Sequence, residues 1–123
     1  MCIRDRLLGE ADVVIYAGSL VNPALLDYTR EGCEIHDSAK LTLEEVIALI
    51  EKAEAAGKTT VRLHTGDSRI YGAVREHFDE LEKRGIAYDV CPGVSAFCGA
   101  AAALRAEYTP VSYTHLLPRR FSP

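Results

Sequence analysis

The sequence predicts an α/β fold, a parallel β-sheet flanked by helices. Short apolar segments typical of strands alternate with amphipathic segments typical of helices, and the links between them are short. The segment at residues 13–17 is apolar at every position but one, which is typical of a strand covered on both faces. Two further strand-like segments, residues 59–63 and 86–90, run directly into turns of small residues. This alternation favours a parallel sheet with crossover helices.

The N-terminal elements follow from local signals. Residues 7–8 indicate the last turn of a helix that ends at Gly9, and the strand at residues 13–17 comes next. The pair Asn22-Pro23 predicts the start of a short helix, because Asn caps helices and Pro has the φ that the first helical position needs. Residues 33–36 are predicted as a short edge strand.

The middle of the chain carries a capping box, in which Thr42 and Glu45 satisfy each other's free backbone donors. The helix that it opens ends at Gly57, and the strand at residues 59–63 follows. A second amphipathic helix begins at Ala73 and ends at Gly85.

A last strand is predicted at residues 86–90, where Pro92 and Gly93 stop it. Ser95 is expected to cap the helix at residues 96–106, which is rich in small side chains.

Composition excludes several function classes. The 123 residues predict one domain, and 48% hydrophobic with 26% charged residues is ordinary for a globular protein. The net charge of −4 and the lack of a basic stripe give little support for a nucleic-acid partner. No apolar run approaches the roughly 18 residues that span a bilayer, and the N-terminus lacks an apolar signal-peptide region. We therefore expect no membrane partner and a cytoplasmic location.

Cysteines and histidines give no metal signal. The cysteines are Cys2, Cys33, Cys91 and Cys98. None of their spacings matches a zinc knuckle or a redox motif. The histidines are His36, His64, His77 and His115, and nothing groups them into a ligand set. We predict reduced thiols and no metal cofactor.

The turn after residues 59–63 is the first candidate ligand site, since ligands of open α/β sheets bind at the carboxyl ends of strands. Gly66 has no Cβ to keep a ligand from the backbone. Asp67 and Ser68 can accept hydrogen bonds from a ligand or, alternatively, only cap a loop. Right-handed crossovers would bring residues 92–96 to the same sheet edge. Two helix N-termini, which favour polar or anionic groups, would then line one crevice.

Three stretches in this order resemble the tetrapyrrole (corrin/porphyrin) methylase family. They are residues 7–19, the His-Thr-Gly-Asp turn at residues 64–67 with Ile-Tyr-Gly at residues 70–72, and Pro-Gly-Val-Ser at residues 92–95. The resemblance covers about residues 7–109. It is closest to the branch that methylates C-11 of precorrin-4 or cobalt-precorrin-4 in cobalamin biosynthesis, which residues 11–21 and the His-Thr-Gly-Asp turn indicate.

The resemblance implies a methyltransferase with S-adenosylmethionine (SAM) as methyl donor and a precorrin or cobalt-precorrin as acceptor. Such an enzyme mainly holds the acceptor carbon in line with the sulfonium methyl. Matched by residue, the implied donor contacts are Thr65, Gly66, Asp67, Ile70, Ser95 and Ala96. A homodimer is implied for the full-length protein. No catalytic base is assigned; Tyr71, His64 and Asp67 are candidates by location alone.

The chain departs from the family pattern in three ways. Ser68 stands where the family usually has Pro after Gly-Asp, a loss of rigidity that we expect to be tolerated. The family's first strand with its glycine-rich loop, and its second α/β domain, are missing. We therefore expect a partial N-terminal domain at residues 7–110, flanked by non-native or disordered ends at residues 1–6 and 111–123. Such a chain is expected to be inactive by itself.

Two other functions remain open at this stage. One is a small α/β module that binds a nucleotide-like ligand or a partner without catalysis. The other is a methylase of the same family that acts on a different tetrapyrrole, because much of the acceptor trough would lie outside these residues.

Overall fold

A computed structural model describes residues 2–109, and at Ser19 it describes the backbone alone. The chain divides into two compact units, Met1–Gly93 and Val94–Pro123. The first unit contains α1 (Ile3–Glu10), β1 (Val13–Tyr16), β2 (Glu34–Asp37), α2 (Leu43–Ala55), β3 (Thr60–Leu63) and α3 (Arg75–Lys83). The second contains α4 (Ala96–Leu104). Short 3-10 helices occur at Gly18–Leu20, Pro23–Tyr28 and Ser38–Lys40. The α/β fold class is confirmed.

The sheet of the first unit has the order β2-β1-β3, and both strand pairs are parallel. Val13 of the central strand lies opposite Glu34 on one side and Thr60 on the other. The prediction that residues 13–17 form a strand covered on both faces is confirmed, since three of the four residues in β1 are buried. The predicted short edge strand is also confirmed, as β2.

Alternate residues of β1 enter two separate hydrophobic clusters, as the period of two in a strand requires. Val14 packs on one side in a cluster whose buried members are Leu8, Ala11, Val14, Val21 and Leu63. On the other side the buried members are Val13, Ile15, Val46 and Ala53. The sheet is therefore covered on both faces by parts of the first unit.

The capping box of α2 forms as predicted. The Thr42 hydroxyl accepts a hydrogen bond from the Glu45 backbone N–H at 3.3 Å, and the Glu45 carboxylate accepts one from the Thr42 N–H at 2.7 Å. Because the helix start is fixed, Val46 packs against the sheet, and both Val46 and Ile47 are buried.

The predicted strand at residues 86–90 is wrong, because these residues belong to no helix or strand in the structure. Among the described residues β3 pairs only with β1, so its other edge has no strand beside it. A cavity of about 550 Å³ is lined by β3 and by residues 86–93. An apolar segment forms a strand only where a neighbour offers matching donors and acceptors, and here no neighbouring strand does so.

Other boundaries differ in detail. Residues Ile3–Arg6 are helical, where a non-native or disordered end was predicted. Helix α3 begins at Arg75 and not at Ala73, because Ala73 has a left-handed φ of 48°. The predicted tail at residues 111–123 lies outside the described residues. Within residues 2–109, no helix has the length and apolar character needed to cross a membrane.

Replacing Ile15 by Ala tests the core around the central strand. Ile15 is fully buried in β1, so Ile15→Ala is expected to lower the free energy of unfolding by about 2–5 kcal/mol. The matched control is Ile35→Ala on the edge strand, where 43% of the residue is exposed. Urea unfolding followed by circular dichroism measures both, and equal losses would contradict this placement of the core.

Candidate functional site

The chain turns sharply where β3 ends, and this turn exposes its backbone. Leu63 is buried at the end of the strand, while Thr65 and Gly66, two and three residues later, are exposed. Gly66 has a φ of 61°, in the left-handed region that glycine adopts without steric cost. An open glycine at the carboxyl end of a parallel strand is where ligands of such sheets bind.

The Asp67 carboxylate fixes the shape of this turn. Only 8% of Asp67 is exposed, and both of its oxygens have partners. Oδ1 accepts from the Arg69 backbone N–H and from Arg69 Nε, each at 3.0 Å. Oδ2 accepts from Arg69 Nη2 at 2.9 Å and from the Gly93 N–H at 3.3 Å. The guanidinium and N–H groups stabilise the anion and hold the pKa of Asp67 well below its usual range.

Asp67 caps the loop, as one interpretation of the sequence had it, because its Oδ1 accepts the Arg69 backbone N–H. It is not the N-cap of a helix, because the next helix starts only at Arg75. Direct contact with a ligand stays a prediction, and it would need a ligand that shares or displaces one of four donors. The sequence reasoning missed Arg69, although an Arg two residues after an Asp in a turn is a usable signal for such a pair.

Gly93 closes the turn from the other side. A Cβ added at Gly93 would lie 1.9 Å from the Gly66 carbonyl oxygen and 3.2 Å from Asp67 Cα. Only glycine fits against this backbone, so Gly93 is a structural part of the site that the sequence reasoning quoted in a motif but gave no role. Gly66, Asp67 and Gly93 all belong to the first unit.

The two remaining predicted donor contacts lie in the second unit. Ser95 is buried and directly precedes α4, whose first residue is Ala96. The expected cap is wrong, because the Ser95 side chain makes no capping hydrogen bond to α4. A buried serine hydroxyl at a helix start still leaves the predicted ligand contact as a prediction.

A cluster of three nitrogen-bearing side chains lines the cavity beside the turn. It consists of Arg62 and His64 from the β3 segment and His77 from α3. Burial, with added repulsion from Arg62 and His77, lowers the pKa of His64 to about 4. Burial also lowers the pKa of Arg62, whose Nη1 donates to the Ile15 carbonyl at 3.2 Å. His64 is therefore neutral at pH 7.

These pKa shifts bear on the candidate bases. A general base works best when its pKa lies near the working pH. The pKa of His64 is lowered to about 4, and the pKa of Asp67 lies below its usual range. Both groups would bind a proton weakly at neutral pH, so neither is well suited to remove one from an acceptor.

Residues 70–73 leave the turn in an unusual conformation. The Ile70 N–H donates to the Asp67 carbonyl at 3.0 Å, and 44% of Ile70 is exposed. Tyr71 follows with a φ of 57° and a fully exposed side chain. No sequence pattern indicated a left-handed tyrosine here.

Metal ligation finds no geometric support in residues 2–109. Those residues contain no group of three or more His, Cys, Asp or Glu side chains that could share an ion. The described thiols are free, at Cys2, Cys33, Cys91 and Cys98.

Comparisons with known proteins agree with the resemblance read from the sequence. The family described as Tetrapyrrole (Corrin/Porphyrin) Methylases matches residues 5–120. A cobalt-precorrin-4 C(11)-methyltransferase of Methanocaldococcus jannaschii is 50% identical over 116 residues, which are 93% of this chain and 45% of the relative. The chain thus spans less than half the length of this curated relative.

Two solved structures are similar to the chain. The X-ray structure of a cobalamin biosynthetic enzyme, cobalt precorrin-4 methyltransferase, is 38% identical with a TM-score of 0.84, and the match covers 89% of this chain and 46% of that one. A uroporphyrin-III C-methyl transferase from Thermus thermophilus, complexed with S-adenyl homocysteine, is 27% identical with a TM-score of 0.64. That match covers 82% of this chain and 42% of the other.

Replacing Gly93 by Ala tests the close packing in the turn. The new Cβ would overlap the Gly66 carbonyl, so Gly93→Ala is expected to lower the free energy of unfolding by about 1–3 kcal/mol. Gly99→Ala in α4 is the matched control, since its Cβ would meet no atom within 4 Å. There we expect a gain of about 0.5–1 kcal/mol, because alanine favours helices. Chemical denaturation measures both, and a Gly93→Ala variant of unchanged stability would contradict the packing.

Proposed function

Because the chain belongs to the tetrapyrrole (corrin/porphyrin) methylase family, we propose that it forms part of the donor site of a methyltransferase. The enzyme would transfer a methyl group from SAM to C-11 of precorrin-4 or cobalt-precorrin-4 in cobalamin biosynthesis. One observation carries the proposal. It is the exposed Gly66 turn at the carboxyl end of β3, clamped by Asp67 and Gly93, in a chain 50% identical to a cobalt-precorrin-4 C(11)-methyltransferase.

The residues of the turn fit a donor of this kind. Thr65 and Gly66 present an exposed backbone that polar groups of the donor can approach, and Ile70 offers an exposed apolar side chain nearby in the chain. Asp67 holds this backbone in place, and its carboxylate is paired with Arg69. The proposed contribution of Asp67 is therefore mainly the shape of the turn. Ser95 and Ala96 are proposed as further donor contacts from the second unit.

SAM would supply a methyl group made electrophilic by the adjacent sulfonium, and the protein would have to bind and orient it. Support for this donor comes from the similar uroporphyrin-III methyl transferase, which is described in complex with S-adenyl homocysteine. The two buried or hydrogen-bonded base candidates, His64 and Asp67, hold protons weakly. We propose that the chain contributes donor binding and is inactive by itself.

The acceptor is proposed from the sequence identity between the chain and methyltransferases of the family. Among the solved structures, the cobalt precorrin-4 methyltransferase is 38% identical to the chain, against 27% for the uroporphyrin-III enzyme. A different tetrapyrrole acceptor is the second candidate, and a binding module without catalysis is the third. A homodimer, a cytoplasmic location and the lack of a metal cofactor belong to the same proposal and rest on the resemblance and on composition.

Calorimetric titration with S-adenosylhomocysteine, the product form of the donor, tests the proposal. The 123-residue chain is expected to bind it, and Asp67→Ala is expected to weaken binding at least about tenfold because the turn loses its anchor. The matched control is Asp27→Ala, an exposed carboxylate in the 3-10 helix Pro23–Tyr28, which should bind as the original chain does.

A second variant separates site formation from folding. Arg69→Lys keeps the positive charge but loses the paired hydrogen bonds to Asp67, so it should also weaken binding while circular dichroism stays unchanged. Failure of the original chain to bind S-adenosylhomocysteine, or full binding by Asp67→Ala, would contradict the proposed donor site.

A further inference from the structure

Tyr71 is held in a backbone conformation that aromatic residues rarely adopt. Its φ of 57° lies in the left-handed region, where an aromatic side chain is uncommon, and Ala73 two residues later has a φ of 48°. Such backbone strain persists only where the surrounding structure enforces it, and it concentrates at ligand sites.

The surrounding structure does enforce it. On one side the Ile70 N–H is tied to the Asp67 carbonyl at 3.0 Å, and the Asp67 side chain is itself held by Arg69 and Gly93. On the other side a Cβ at Gly72 would lie 1.8 Å from the Ser68 carbonyl oxygen, so the backbone doubles back on itself. Tyr71 therefore sits at the apex of a locked turn.

The strained conformation of Tyr71 does not bury its side chain. The side chain of Tyr71 is fully exposed and belongs to neither of the two hydrophobic clusters around β1. A large ring presented to solvent from a fixed, strained backbone is an unusual use of such a position. Its geometry suits contact with a flat, apolar or conjugated surface of a ligand.

Cationic side chains flank this ring in the chain. Arg69, two residues before Tyr71, is paired with Asp67 yet leaves 59% of its side chain exposed. Arg75, four residues after, is 90% exposed and is paired with Asp79 at a distance of 3.6 Å. A conjugated ligand that carries carboxylates matches an aromatic face with nearby guanidinium groups.

We propose that Tyr71 positions the acceptor by stacking on the conjugated face of a polycarboxylated tetrapyrrole, with Arg75 placed to meet a carboxylate. The identity of this ligand rests on the proposed function. Tyr71 then acts as a binding surface, a role distinct from the proton transfer for which its location made it a candidate. The turn fixes the backbone of Tyr71 before the ligand arrives, which lowers the entropic cost of binding.

Uroporphyrin III, a stable polycarboxylated tetrapyrrole, is the probe, and binding to the 123-residue chain is followed by the shift of its absorption band. Tyr71→Ala should weaken binding about tenfold, since stacking of a conjugated ring on an aromatic side chain is worth that much or more. Tyr71→Phe keeps the ring and should stay within about twofold of the original chain, whereas binding through the hydroxyl would be lost in this variant.

Ala73→Gly is the matched control for backbone strain. Glycine adopts the left-handed φ of residue 73 without strain, so the melting temperature should rise. The ring of Tyr71 is kept, so uroporphyrin affinity should stay unchanged. Tyr71→Gly should also raise the melting temperature but lose affinity. Unchanged affinity in Tyr71→Ala, or no uroporphyrin binding by the original chain, would overturn the proposal.

Titration of the same variants with S-adenosylhomocysteine separates this inference from the proposed function. If the chain binds S-adenosylhomocysteine and Tyr71→Ala binds uroporphyrin III normally, the acceptor role of Tyr71 is wrong and the donor site stands. If the chain binds uroporphyrin III through Tyr71 but fails to bind S-adenosylhomocysteine, the donor site is wrong and the tetrapyrrole surface stands.

Discussion

The carboxylate of Asp67 is the constraint on which the candidate site depends. It has little contact with water, so its charge would be costly without partners, and Arg69 and the Gly93 N–H supply them. Through these bonds Asp67 is tied to Arg69, two positions along the chain, and to Gly93, 26 positions along the chain. The exposed backbone at Gly66 and the outward position of Tyr71 both follow from this one anchored turn. The proposed donor site and the proposed acceptor surface therefore share a single structural cause.

Most of the fold could be predicted from the sequence because its signals are local. The apolar run of β1, the capping box of Thr42 and Glu45, and the proline after Asn22 each act within a few residues, and each forms as expected. Residues 86–90 are the exception. Strand formation depends on a neighbour that no local pattern contains, and among the described residues none pairs with them.

The turn that forms the candidate site was predictable in position, but the contacts within it were not. The position of Gly66 and Asp67 after a strand was enough to locate the turn. The partners of Asp67 were not predictable, because the contact with Gly93 exists only once the chain has folded. The lowered pKa of His64 likewise depends on burial and on His77 from α3, and the left-handed φ of Tyr71 depends on the packing of the whole turn.

A crystal structure of the chain bound to S-adenosylhomocysteine would test most directly whether Asp67 is an anchor. We expect the ligand to lie against the exposed backbone of Thr65 and Gly66, with the Asp67–Arg69 pair and the Gly93 hydrogen bond kept. A ligand that binds the Asp67 carboxylate after displacing Arg69, or one that binds away from this turn, would contradict the role given to that carboxylate.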